Sequence, residues 1–196
     1  ADGVYEVTSV LGGKLIDFDG HMARLQRSLA ALNMAVPASG EKLLNIHQQL
    51  IARNNLREGL VYLQVTRGAA YRDFVYPADP PPSLVLFTQS KPLLESTAVK
   101  TGIKVITIPD QRWIRRDIKT VQLLYPSMGK MMAREAGVDD AWMVQDDLVT
   151  EGTSNNAYIV KDGVIVTRNL SNDILHGITR KSILACAELL QMKVEV

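Results

Sequence analysis

Apolar and polar residues alternate along residues 4–10 and again along 14–18, with Gly12-Gly13 between them. Period-two alternation predicts strands with one buried face. The glycine pair predicts a hairpin, because glycine readily adopts the positive φ of tight hairpin turns. The period then changes. Met22, Leu25, Leu29 and Leu32 recur at helical spacing within a predicted helix over residues 20–33, and Asp19 stands where an N-cap belongs. On this wheel His21, Arg24 and Ser28 share one flank, whereas Arg27 points away from the apolar stripe. Arg24 is therefore placed at the edge of the core, where its charge can be aimed at an anion, and Arg27 in solvent.

Ser39 can cap a second helix reaching residue 54, on which Leu43, Leu44, Ile46, Leu50 and Ile51 are apolar. His47 lies on it with no cysteine, acid or second histidine at metal-ligand spacing, and it reads as structural. Strands are predicted at 60–67 and 83–89, separated by an irregular loop (68–82) that ends in three prolines. A further strand (102–108), a helix (127–136) stopped by Gly137, and short strands at 141–144, 157–161 and 164–167 follow. The last helix spans 178–191, with Ile183, Leu184, Ala187 and Leu190 on one side. Strands and helices mix throughout, so the class is α/β or α+β. A polar stretch containing Pro92 suggests two domains, 1–92 and 102–196, joined by a linker at 93–101.

Composition narrows the function classes. Apolar residues make up 46% and charged residues 22% of 196, as in an ordinary globular protein, and the net charge of +1 gives no reason to expect nucleic acid as a partner. No apolar run approaches membrane-spanning length. Cys186 is the only cysteine; it falls in an apolar helical stretch, reads as core, and fits a reducing, cytoplasmic compartment. The chain opens directly into the strand-like residues 4–7 without methionine and stops within another alternating stretch, 193–196. Both ends therefore read as cut.

Three segments carry the chemistry. Lys119 follows Arg115 and Arg116 and precedes an apolar run; Glu151 opens a loop of small polar residues, Gly152-Thr153-Ser154-Asn155-Asn156; and Leu175-His176-Gly177-Ile178-Thr179 leads into the last helix. Lysine serves as a nucleophilic amine when burial or nearby positive charge lowers its pKa. A helix N-terminus with a glycine at its threshold can accept an anion. Nothing in the spacing, however, selects Lys119 over the other nine lysines.

Taken together, these segments resemble the fold-type IV pyridoxal-phosphate (PLP) aminotransferases, and among them the D-amino-acid (D-alanine) aminotransferases. The resemblance runs from Val4 nearly to Val196 and implies a two-domain fold with the active site between the domains. It implies that Lys119 forms the internal aldimine with PLP and shuttles a proton, and that Glu151 faces the pyridine nitrogen. It further implies that Arg24, Ile178 and Thr179 bind the phosphate, with Leu175 against the ring. In the D-specific enzymes a tyrosine, an arginine and a histidine hold the substrate carboxylate, the last two supplied by the partner subunit of a homodimer. Tyr5 and Arg72 match the first two, but Phe74 occupies the histidine position. The activity so implied is transfer of an amino group between a D-amino acid and a 2-oxo acid. Branched-chain L-amino-acid or amine transamination, an aminodeoxychorismate-type lyase, and a chain that folds without holding cofactor remain as alternatives.

Overall fold

The computed structural model describes residues 2–196. Its contacts divide the chain into two units, 1–99 with 118–121, and 100–117 with 122–196. A short helix, α3 (Thr97–Thr101), forms where the first unit gives way to the second, and four residues around Lys119 belong to the first unit.

The first unit is a sheet covered by two helices. Strands β1 (Gly3–Leu11), β2 (Lys14–Leu15), β3 (Glu58–Thr66) and β4 (Ser83–Ser90) pair antiparallel in the order β2-β1-β3-β4. Helices α1 (Phe18–Ala31) and α2 (Gly40–Arg53) lie between β2 and β3 in sequence. Burial alternates along β1 and β3, as period-two patterning requires: Val4, Val10, Val61, Leu63 and Val65 are wholly buried, and Leu25 and Leu29 of α1 are nearly so. Each such side chain contributes about 1.5–3 kcal/mol. A second cluster joins Ile51 and Leu56 to Val10 and Val61.

The hairpin turn is as expected, with Leu11 opposite Lys14 and both Gly12 and Gly13 at positive φ. The start of α1 is not. Asp17 rather than Asp19 precedes the helix, in a left-handed conformation. Phe18 becomes the first helical residue and its ring meets His47 of α2 edge-on at 5.1 Å, a tertiary contact invisible to local spacing. Ser39 caps α2 as expected, its Oγ accepting from the Lys42 N–H at 3.3 Å. At the end of β3, Arg67 donates to the Leu32 and Asn33 carbonyls (2.8 and 2.9 Å) and to Asp2, anchoring the base of the long loop against the end of α1.

The second unit contains two three-stranded sheets. In the first, β5 (Val105–Pro109) and β6 (Asp140–Gln145) pair parallel, joined by a crossover containing α4 (Leu124–Glu135), and β7 (Leu148–Gly152) pairs antiparallel with β6. The second comprises β8 (Tyr158–Lys161), β9 (Val164–Thr167) and β10 (Val194–Glu195), with α5 (Ile178–Leu189) between β9 and β10 in sequence. Ala133 and Gly129 of α4 pack closely on this unit's core of Ile108, Ala141 and Met143.

Three expectations change here. Helix α4 begins at Leu124 because Pro126, in its first turn, occupies a position whose N–H would have no intrahelical partner. Cys186 is exposed rather than core. Helix α5 buries only Arg180 and Ala187, so the adjacent Cys186 is rotated outward, and Leu190 is likewise 71% exposed. Finally, Glu151 lies at the end of a strand, β7, instead of opening a loop. Among the described residues, no helix is long and apolar enough to cross a membrane.

Candidate active site

Lys119 is held to the first unit by its own backbone. Its carbonyl accepts from the Tyr5 N–H at 3.0 Å, its N–H donates to Ser28 Oγ at 3.3 Å, and the Val121 N–H donates to the Gly3 carbonyl at 3.0 Å. Thr120 bridges Val4 antiparallel, so residues 118–121 act as a stub of strand at one end of β1. Ile118 and Thr120 are buried while Lys119, between them, projects the other way. Its Nζ donates to the Tyr5 hydroxyl at 3.2 Å and lies 4.2 Å from the Tyr5 ring centroid. Tyr5 in turn stacks on Tyr62 and Tyr62 on Phe87, at centroid separations of 5.6 and 4.8 Å. Lysine and tyrosine thus meet on the sheet face opposite the core. The Arg115 and Arg116 charges are compensated by other groups: Arg115 pairs with Asp117 at 2.9 Å, and Arg116, which donates to Gln145 at 2.8 Å, lies 3.6 Å from Asp110 and 3.8 Å from Asp173.

Arg24, expected at the edge of the core, is 4% exposed and points into the unit, because there it meets the buried counter-charge of Glu6. Arg24 donates through Nε and Nη2 to the two Glu6 oxygens at 2.8 and 2.7 Å, and His21 Nδ1 lies 2.7 Å from the same carboxylate. Burial opposes the Glu6 charge, but Arg24 and His21 outweigh it and hold the carboxyl below its ordinary range. The alternation of β1 was the available signal, since it places Glu6 on the same buried face as Val4, Thr8 and Val10. Arg27 is exposed, and His47 is wholly buried. Arg72 lies in the exposed loop, its guanidinium carbon 4.9 Å from the Phe74 ring centroid.

In the second unit Glu151 owes its placement to an irregularity. Trp142 pairs with Gly152 and Val144 with Val149, so Thr150 and Glu151 together oppose Met143 alone. This β-bulge turns two consecutive residues inward, and they are only 2% and 4% exposed. Arg112 Nη1 donates to Glu151 Oε1 at 2.5 Å, Asn156 Nδ2 donates to Oε2 at 2.9 Å, and the Leu175 N–H lies 3.1 and 3.2 Å from the two oxygens. Burial pushes the Glu151 carboxyl upward, against the pull of Arg112. Burial also opposes the Arg112 charge, but Asp110 and Glu151 together hold the guanidinium charged.

Asn156 also donates to the Leu175 carbonyl at 2.9 Å. It therefore ties Glu151 to the segment entering α5, whose N-cap is Gly177. A Cβ on Gly177 would lie 2.2 Å from Asn156 Oδ1. Ile178 is half-buried and Thr179 exposed at the first turn, where helix N–H groups lack intrahelical acceptors. Asp140, 2% exposed, pins the loop between Glu151 and Asn156, accepting from Thr153 Oγ1 at 2.6 Å and Asn155 Nδ2 at 2.7 Å. Asp110, Arg112, Asp140 and Asn156 were not singled out from sequence. They act through pairing across strands and loops, which local patterning does not encode.

The residues comprise an amine beside a phenol in one unit, and in the other a buried carboxylate hydrogen-bonded to the segment that enters a helix. Residues 3–196 match the family described as amino-transferase class IV. The chain belongs to the class IV aminotransferases. It is 41% identical over 189 residues to the D-alanine aminotransferase of Bacillus licheniformis, and 40% identical over 190 residues to that of Listeria monocytogenes serotype 4b; each match covers 95% of the chain. The chain spans 66% and 65% of those two proteins' lengths. Solved structures share the fold. A branched-chain amino acid aminotransferase from Escherichia coli superposes with a TM-score of 0.88 at 22% identity, covering 99% of this chain and 66% of that one. A putative 4-amino-4-deoxychorismate lyase from Legionella pneumophila gives 0.88 at 23%, covering 98% and 71%. At such identities these two establish the fold alone.

Proposed function

We propose that this class IV chain carries out PLP-dependent transamination between a D-amino acid such as D-alanine and a 2-oxo acid such as 2-oxoglutarate. The observation that supports the reading is the Lys119–Tyr5 pair: the Lys119 amine lies 3.2 Å from the hydroxyl of Tyr5, the residue that we assign to the carboxylate clamp. The D-alanine aminotransferase relatives support it independently.

The residues fit the cofactor. Gly177 leads into a helix start whose first N–H groups lack intrahelical acceptors, Glu151 is a buried acid with directed donors, and Lys119 presents an amine. When bound, PLP supplies an aldehyde for the substrate amine and a ring that accepts electrons. Lys119 Nζ would bind the cofactor and act as acid and base toward the substrate carbon. Glu151 would keep the ring nitrogen protonated through charge pairing. The N–H groups of Ile178 and Thr179 would hold the phosphate, as would Arg24 oriented by Glu6, and Leu175 would pack against the ring. Tyr5 and Arg72 hold the substrate carboxylate. Arg72 acts from a loop that exposes Tyr71, Phe74, Val75 and Tyr76, a surface suited to a second copy, so the proposal includes a homodimer. A cytoplasmic location belongs to the same reading.

The test is product analysis on purified protein supplied with PLP. Pyruvate should form from D-alanine only when 2-oxoglutarate is present, and faster than from L-alanine. Borohydride reduction should place the cofactor on the peptide containing Lys119. An L-preference would turn the assignment to branched-chain chemistry, and pyruvate from aminodeoxychorismate without an acceptor would turn it to a lyase.

A further inference from the structure

Glu151 presents a physical problem that its three donors solve unequally. A carboxylate taken out of water tends to neutralise unless it is paired. Asn156 and the Leu175 N–H are neutral donors, whereas Arg112 brings a full charge at 2.5 Å. We propose that Arg112, held by Asp110, is a positioning residue that keeps the buried Glu151 carboxylate ionised and aimed. The inference rests on Glu151 being the acid that faces the cofactor.

The geometry separates the tasks within one guanidinium. Nε and Nη2 fork onto the two Asp110 oxygens at 2.9 and 2.7 Å, leaving Nη1 directed at Glu151. Asp110 itself has a fully buried side chain. It is oriented by the Arg112 N–H at 3.1 Å and by Thr150 Oγ1 at 2.6 Å. The β7 bulge therefore does two things at once: Thr150 fixes the far end of the relay and Glu151 receives its near end. Arg116 adds a second cation 3.6 Å from Asp110, so two arginines face two acids and Asp110 does not simply cancel the charge that Glu151 needs. Arginine suits the position because its planar fork serves two acids in fixed directions, which an ammonium does not.

The test reads Glu151 itself. Protein without cofactor, labelled with 13C at the glutamate carboxyl carbons, is titrated by NMR, with the Glu151 resonance assigned by its loss in Glu151→Gln. Removing a contacting opposite charge should raise the Glu151 pKa by about one unit or more in Arg112→Met, with partial return toward the wild-type value in Arg112→Lys. An unchanged titration in Arg112→Met overturns the proposal and leaves Arg112 a partner of Asp110 only. Should Arg112→Met not fold, Asp110→Asn, which loosens the fork while keeping Arg112, should raise the Glu151 pKa by a smaller amount; no rise there overturns the proposal equally. A second measurement separates this inference from the functional reading. The pH dependence of the bound cofactor's absorbance should move with Glu151 in Arg112→Lys. If Glu151 titrates as expected while that absorbance does not follow, the Arg112–Glu151 relation stands and the cofactor-facing role of Glu151 fails.

Discussion

Gly177→Ala isolates the coupling between the acid and the helix start. Gly177 has φ −63 and ψ 137, a conformation alanine adopts without strain, so the backbone offers no reason for glycine. The obstacle is Asn156, whose Oδ1 would lie 2.2 Å from the new Cβ; Arg180 Cβ, at 3.3 Å, is tight but tolerable. Asn156 must retreat by about 1 Å, enough to break its hydrogen bonds to Glu151 and to the Leu175 carbonyl, both 2.9 Å. A bond to a carboxylate is worth roughly 1.5–3 kcal/mol and one to a carbonyl roughly 0.5–1.5. Replacing glycine returns about 0.4–1 kcal/mol through the unfolded chain. The net cost is therefore about 1–4 kcal/mol. Urea unfolding followed at Trp113 and Trp142, the only tryptophans and both in the second unit, measures it. The decisive comparison is a double-mutant cycle: with Asn156→Ala already present, Gly177→Ala should be neutral or slightly stabilising. Equal costs in both backgrounds would refute the steric argument.

Two further predictions concern the first unit. Glu6→Gln leaves Arg24 buried without its counter-charge and should cost about 3 kcal/mol in unfolding experiments, part of which Arg24→Gln should recover in the double variant. His47 is wholly buried, and burial lowers its pKa from 6.5, so the unfolded chain binds the extra proton more readily. Its contribution is thus fully present above pH 6.5 and is lost as pH falls toward its lower folded value. Stability measured between pH 7 and pH 5 should decline less in His47→Leu than in the unmodified protein.

Alternation determined the first strand, and the glycine pair its hairpin, because a strand's side chains obey a period that no tertiary contact is needed to establish. Helical spacing likewise put His21, Arg24 and Ser28 on one flank, with Arg24 at the edge of the core, and sent Arg27 to solvent; the structure buries all three of the flank. The motif resemblance singled out Lys119 and Glu151, which no periodicity could have chosen. What surrounds them was decided only by tertiary structure. Glu6 becomes the partner of Arg24 when α1 packs on β1, and Lys119 meets Tyr5 when a four-residue segment more than a hundred residues away in sequence returns to the edge of β1. Glu151 turns inward through a bulge, a one-residue mismatch between two strands that neither strand records by itself. Arg112 looks like any surface arginine in sequence. It becomes the charge beside Glu151 because Asp110, at the end of β5, and Thr150, on β7, fix its direction, and such pairings depend on which strands lie together rather than on local residue order.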